Sequence, residues 1–370
     1  MTAITGCLLP GSGTHSVPDR ALERVARAPG QVLSSVITAS PCRLSFFGGG
    51  TDLPEYFETR GGLVIATTMR HFSYVALNSL PRLLERRFRI SYSQLEMVDR
   101  VEEIRHDIIR ATLGEHPELI ADRFVDIHSY ADLPVGTGIG SSSAFTVGLL
   151  NALHAVCGMY LPPRELARRA IGIERDKLGE HGGWQDQVLS AFGGFNLVRF
   201  QDREFEVFPL PLGSGMKQAI ESCCWLYFTA VTRSSSAVQR TSHGGADGAR
   251  LRLLDETREI AEEALRVLRA GEDPGVTMRR WGELLHHSWM LKRRLSGAVS
   301  LPAIDLVYER ARDAGAWGGK LVGAGGGGFL LIAGPPERRA AIDAAVGGLT
   351  RFAVRLEQHG SHVVYVNERD

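Results

Sequence analysis

Pro134-Val135-Gly136-Thr137-Gly138-Ile139-Gly140-Ser141-Ser142-Ser143-Ala144 runs directly into the apolar segment 145–156. The reading is a glycine-rich turn that feeds the N-terminus of a helix. Glycines let a backbone come close to an anion, and the first N–H groups of a helix have no internal partner. The helix dipole adds partial positive charge at the same place. A triphosphate fits such a turn. Serine hydroxyls there can bond phosphate oxygens or complete the shell of a Mg²⁺ ion. The alternative is a flexible loop in which a serine simply caps the helix.

Two familiar phosphate motifs are excluded. A P-loop needs a Lys directly after its last glycine, and none follows Gly140. A dinucleotide fingerprint needs a third glycine at its own spacing and a ribose-binding acid downstream. The turn lacks that spacing, and 154–163 contains no Asp or Glu.

Bulk properties narrow the class. The chain has 370 residues, with 42 basic and 42 acidic side chains, so its formal net charge is zero. That balance argues against a nucleic-acid partner, and the length suggests two domains or one large one. No apolar run reaches the roughly 18 residues of a membrane span, and no signal-peptide pattern opens the chain. Five cysteines (Cys7, Cys42, Cys157, Cys223, Cys224) show no C-x-x-C spacing, which reads as reduced thiols in a cytoplasmic protein.

Residues 1–35 read as a flexible leader, with a short helix around 21–28. An α/β region follows to about residue 208. Strands are predicted over 36–47, 63–67, 74–78, 88–92, 124–129 and 195–200, and helices over 102–113, 142–157 and 164–176. Pro209-Leu210-Pro211-Leu212-Gly213 marks a junction. In the second half, 209–370, a β-rich run covers 223–231. Helices are predicted over 249–270, 276–295, 302–314 and 337–346, and strands near 351–356 and 362–366. Residues 320–332 read as strand, glycine turn, strand.

Three glycine clusters, at 48–50, 136–140 and 323–328, stand far apart but each adjoins an apolar element. Together they suggest backbone packed around a ligand from several sides. Glu174 and Asp186 supply two carboxylates. Phosphoryl transfer uses one for the metal, and another near the attacking hydroxyl to orient or deprotonate it. Their plainer readings are an exposed helical charge and a helix cap. Asp52, after Gly48-Gly49-Gly50-Thr51, can accept bonds from sugar hydroxyls or serve the turn. Trp184 can stack on a sugar face or fill a core. Lys292, Arg293 and Arg294 can hold a substrate phosphate or form a solvated helix face.

The three motifs in this order resemble the GHMP kinases. Motif one is Pro41-Cys42-Arg43-Leu44-Ser45-Phe46-Phe47-Gly48-Gly49-Gly50-Thr51-Asp52, motif two is residues 134–144, and motif three begins at Lys320 and ends at Phe329. The resemblance covers about 36–370. Within the superfamily the chain resembles the heptose 7-phosphate kinases and the related L-fucose kinases. Gly183-Trp184-Gln185-Asp186-Gln187, Ala191-Phe192-Gly193-Gly194-Phe195-Asn196, Tyr227-Phe228-Thr229 with Thr232-Arg233, and Ser288-Trp289 with Lys292 carry that likeness. Galactokinases have Glu-His where this chain has Gly49 and Gly50.

The resemblance implies a mixed α/β fold: an N-terminal ribosomal-S5-like domain over 36–208 that binds ATP, and a ferredoxin-like domain over 209–370. It implies an ATP-dependent kinase acting on the anomeric hydroxyl of a sugar phosphate, as monomer or homodimer, with no nucleic acid or membrane partner. Pro134, Gly136, Gly138, Gly140, Ser141, Ser142 and Ser143 would wrap the ATP phosphates. Ser142 and Glu174 would hold Mg²⁺, twelve residues (186 − 174) before Asp186. Asp186 would meet the nucleophilic hydroxyl, with Arg43 beside it. Gly49, Gly50, Thr51, Asp52, Trp184, Lys292, Gly325 and Gly326 would face the substrate, and motif three would pack against motif two. Another sugar 1-kinase, or a non-catalytic sugar sensor on the same scaffold, are the alternatives.

Overall fold

The computed structural model describes residues 33–80, 85–120, 123–134, 136–230, 248–295 and 300–368. The leader, save its last three residues, and the pair Thr232-Arg233 lie outside them.

Two long strands organise the first lobe. β1 (Leu33–Phe47) runs antiparallel to β2 (Gly62–Leu80), from Ser35 opposite Asn78 to Phe47 opposite Ile65. The sequence suggested two strands over 63–67 and 74–78, yet the chain continues through the polar stretch between them. Thr68 keeps it in the sheet: its N–H donates to the Gly194 carbonyl and its hydroxyl to that of Glu357. The early half of β2 pairs with β6 (Phe195–Gln201), and the late half with β5 (Phe124–Ala131). β3 (Phe88–Ser91) lies parallel to β5 and antiparallel to β4 (Leu95–Val98), and β7 (Glu204–Pro209) extends from β6.

Helices α1 (Pro54–Arg60), α2 (Asp107–Glu115), α3 (Ser141–Val156), α4 (Pro163–Ile171) and α5 (Gln185–Phe192) complete this lobe. The predicted helix over 102–113 is interrupted. The buried Glu96 carboxylate accepts the backbone N–H groups of Arg105 (2.7 Å) and His106 (3.2 Å), and α2 starts only after them. The predicted helix over 164–176 ends in a π turn, Gly172–Lys177.

The second lobe carries β8 (Cys224–Phe228), β9 (Gly318–Leu321), β10 (Phe329–Ala333) and β11 (Thr350–Ala353) in the order β11-β8-β10-β9, all antiparallel. In chain order that is 4-1-3-2, the ferredoxin-like arrangement. Its helices are α6 (Ser214–Cys223), α7 (Gly248–Arg269), α8 (Pro274–Leu295), α9 (Pro302–Asp313) and α10 (Arg339–Ala345). α1, β4, β7 and α6 had no counterpart in the sequence reading.

The chain then returns. β12 (Leu356–Glu357) pairs with β2, and β13 (His362–Glu368) with β1. A division at residue 209 therefore leaves part of the first sheet in the last segment of chain. The lobes also share a core. The Trp281 ring on α8 packs against Phe46 (5.5 Å) and Phe47 (5.1 Å) of β1 and Phe195 (5.9 Å) of β6. Among the described residues no helix is long and apolar enough to cross a membrane. Cys42, Cys157, Cys223 and Cys224 are free thiols.

Candidate active site

A cavity of about 370 Å³ opens between the lobes. Gly136, Gly138, Gly140 and Ser141 to Ser143 form one wall. Gly140 sits at the N-cap of α3 with φ +74°, and no side chain caps the helix. The first-turn N–H groups are thus left for an anion rather than spent on a serine, the alternative raised from sequence. Pro134 is not on the wall; its carbonyl accepts the Thr137 hydroxyl (2.9 Å) and shapes the turn.

Motif three supports motif two from behind. A Cβ at Gly138 would stand 2.5 Å from the Val322 carbonyl oxygen, and one at Gly323 2.5 Å from Gly138 Cα. Only two glycines permit that approach. Gly323 and Ala324 reach the cavity, whereas Gly325 and Gly326 do not.

Arg43 links three parts of the site. The β1–β2 pairing slips between Pro41 and Arg43, and such irregularities re-aim side chains. Arg43 Nε donates to Asp186 Oδ1 and Nη2 to Oδ2, both at 2.7 Å. Its Nη1 bonds the Gly138 carbonyl, and its main-chain N–H the Ile139 carbonyl (3.0 Å). Asp186, in the first turn of α5, is held in one orientation facing the cavity.

Glu174 lies in the π turn and is 1% exposed, which rules out a solvated helical charge. Oε2 accepts bonds from Ser143 Oγ (2.9 Å) and Gln187 Nε2, while Oε1 has no partner. Burial raises its pKa, and Arg175, 3.6 Å from Oε2, works against that rise. A buried carboxylate oxygen left open at the cavity fits Mg²⁺, with the Ser142 hydroxyl on the same wall. Among the described residues no cluster of three or more His, Cys, Asp or Glu side chains is built for a metal. Such an ion would take its other ligands from phosphate oxygens and water.

Asp52 is 2% exposed and accepts N–H bonds from Gly50 (2.9 Å) and Gln185 (3.2 Å). It fastens motif one to the turn that carries Asp186, and burial raises its pKa. Gly49 and Gly50 line the cavity. Thr51 does not: its hydroxyl bonds the carbonyls of Gly48 (2.8 Å) and Leu63 (3.1 Å) inside the turn. Trp184 also faces away from the cavity. Its ring sits in an apolar core 4.9 Å from the Phe57 ring, so it offers no stacking surface to a sugar.

Of the three adjacent basic residues only Lys292 lines the cavity; Arg293 pairs with Asp305 and Arg294 with Glu256. Lys292 Nζ donates to the Leu321 carbonyl (2.9 Å) and to that of Gly323. Enclosure, and then the nearby Arg43, push its pKa down to about 7. Lys320, given no role in the sequence reading, lines the cavity and is 5% exposed. It donates to the Phe46 carbonyl (2.7 Å), crossing from β9 to β1, and burial drives its pKa far down. Ser45, Gln185 and Arg250 also reach the wall unforeseen. A lysine in motif three was the only available hint: a charged residue heading a buried strand.

The site thus sets an uncapped helix N-terminus, a buried carboxylate and an oriented aspartate around one cavity. The chain matches the GHMP kinases N-terminal domain over residues 88–194 and the GHMP kinases C-terminal domain over 276–347. It is 28% identical over 302 residues to the D-glycero-α-D-manno-heptose 7-phosphate kinase of Campylobacter jejuni, covering 79% of this chain and 87% of that one. It is 30% identical over 245 residues to the mevalonate kinase of Thermococcus sibiricus, covering 65% and 69%. The fold matches the crystal structure of a D-glycero-D-manno-heptose 1-phosphate kinase from Bacteroides thetaiotaomicron with a TM-score of 0.73 at 23% identity, over 89% of this chain and 98% of that one. Both family domains are present in order, on the lobes that meet at this cavity, and the chain belongs to the GHMP kinases.

Proposed function

We propose that this kinase phosphorylates the anomeric hydroxyl of D-glycero-α-D-manno-heptose 7-phosphate, giving the 1,7-bisphosphate. The observation that carries the reading is the placement of Asp186. It is clamped through both oxygens by Arg43, between the open N-terminus of α3 and the Asp52 turn. A hydroxyl resting on Asp186 lies where it can attack a phosphoryl group held by the α3 N–H groups. The carboxylate orients that hydroxyl and takes up its proton as the bond to phosphorus forms. Arg43 stabilises the charge that builds on the transferred group. Mg²⁺, held by Glu174 and Ser142, would supply charge neutralisation on the nucleotide phosphates. Lys292 offers its ammonium to the phosphate the sugar already carries. The Campylobacter relative supplies the choice of sugar.

The test is ATP consumption with Mg²⁺ on heptose 7-phosphate, free mannoheptose, L-fucose, galactose and mevalonate. Turnover is expected with the 7-phosphate, and loss of Asp186 in an Asp186→Asn variant should lower kcat by about 10²–10⁴-fold. Turnover of L-fucose instead would keep the mechanism and replace the substrate. Tight sugar binding without turnover would point to a sensor.

A further inference from the structure

Two buried oxygens on the cavity wall have no hydrogen-bond partner: Ser45 Oγ and Gln185 Oε1. Ser45 is 4% exposed and Gln185 8%. An unmet buried polar group is costly, and where it belongs to a residue lining a cavity a ligand can meet it. The two side chains converge over Gly49. A Cβ built at Gly49 would stand 3.4 Å from Ser45 Oγ and 3.6 Å from Gln185 Nε2.

Gly49 itself needs no glycine. Its φ is not positive, unlike those of Gly48 (+81°) and Gly50 (+103°), and the added Cβ would meet only ordinary contacts. At Gly48 the same atom would collide with the Leu63 carbonyl at 1.8 Å. The missing side chain at position 49 therefore leaves space and nothing else. That space is flanked by the unpartnered Ser45 hydroxyl, which can accept, and by the Gln185 amide nitrogen, which can donate. Gln185 cannot drift from it, because its backbone N–H is tied to Asp52 and the next residue is Asp186.

We infer that Gly49, Ser45 and Gln185 form a notch that reads one hydroxyl of the acceptor besides the one that is phosphorylated. The inference rests on the sugar-kinase reading above and adds its specificity determinants. One substrate hydroxyl enters the space over Gly49, donates to Ser45 Oγ and accepts from Gln185 Nε2, while Gln185 Oε1 remains to accept from a neighbouring hydroxyl. A larger side chain at 49 fills the notch.

The experiment compares wild type with Gly49→Ala, Ser45→Ala and Gln185→Leu. Thermal melting, KM for ATP, KM for the sugar that wild type turns over, and calorimetric binding of the same panel of acceptors are measured. Gly49→Ala should melt within a degree or two of wild type, keep its KM for ATP, and raise KM for the sugar at least tenfold. Ser45→Ala should melt at or above wild type, since it removes an unmet buried hydroxyl, while weakening sugar binding about three- to tenfold. Gln185→Leu should weaken it similarly. A purely structural role for these residues would lower melting temperature and leave the sugar KM alone, and that result overturns the notch. So does an unchanged sugar KM in all three. Wild type that turns over no sugar fails the functional reading; binding of polyols, lost in Gly49→Ala, would then still uphold the notch. Wild type that binds no polyol overturns both.

Discussion

Lys292 places a titration inside the working range of the enzyme. Its free pKa near 10.5 is lowered to about 7 by enclosure and by Arg43. Below that pH the ammonium is charged, and by pH 8 the neutral form dominates. A phosphate bound beside it favours the charged form, so substrate binding at pH 8 takes up a proton. Calorimetry at pH 8 in buffers of different ionisation heat should show that uptake in wild type and not in Lys292→Met. KM for the phosphorylated sugar should rise with pH above 7, and that of Lys292→Met should stay flat. At this scale the sequence was informative where a family motif carries the residue. Asp186, Glu174 and Arg43 were brought to the cavity wall as the motifs implied, whereas residue type alone left Glu174 open as a helical charge and Asp186 as a helix cap. Trp184 and Thr51 were misplaced because a tryptophan and a threonine beside a turn look alike whether they face a ligand or a core. Ser45, Gln185 and Lys320 were missed for the opposite reason. Nothing in a serine or glutamine announces that folding will bury it without a partner.

Elements were legible where their pattern was local. The turn into α3 could be read from its glycines and serines alone. The order of the four-stranded sheet was legible only through the resemblance to a ferredoxin-like domain, because the pairing of β8 with β10 and β11 is a tertiary choice. The back-to-back contact of motifs two and three came from the same resemblance, and residue pattern alone does not show it. That contact makes a sharp prediction. Gly323→Ala puts a methyl 2.5 Å from Gly138 at a φ of +75°. Overpacking and backbone strain together should cost roughly 2–4 kcal/mol, with Tm lower by roughly 3–5 °C. Gly347→Ala is the control. It shares a positive φ of +71° but has open space around it, so it pays the backbone strain alone. Scanning calorimetry should separate the two, and only Gly323→Ala should also lose affinity for ATP. Equal losses would show that the close approach does not matter.

Across the whole molecule, the two family domains are not two independent bodies. β12 and β13 belong to the first sheet although they follow the second lobe, and Trp281 packs into the core beneath β1. A fragment of residues 33–208 lacks both. It exposes one edge of β1 and leaves Phe46, Phe47 and Phe195 without cover, a predicted route to aggregation. It should be recovered as insoluble or as a species without a cooperative melt. A soluble fragment that melts cooperatively would show that the first lobe is self-sufficient. The sequence pointed to a boundary near 209 because the proline-rich junction is local, whereas the return of 356–368 leaves no mark in composition.

The pairing of β1 with β13 also sets an order of manufacture. The Ser34 hydroxyl bonds the Asn367 carbonyl across 333 positions of chain. At roughly 5–20 residues per second, the ribosome delivers β13 on the order of tens of seconds after β1. For all that time β1 offers an unpaired edge to every other nascent strand in its vicinity. The lobe that holds the glycine turn is made first and finished last.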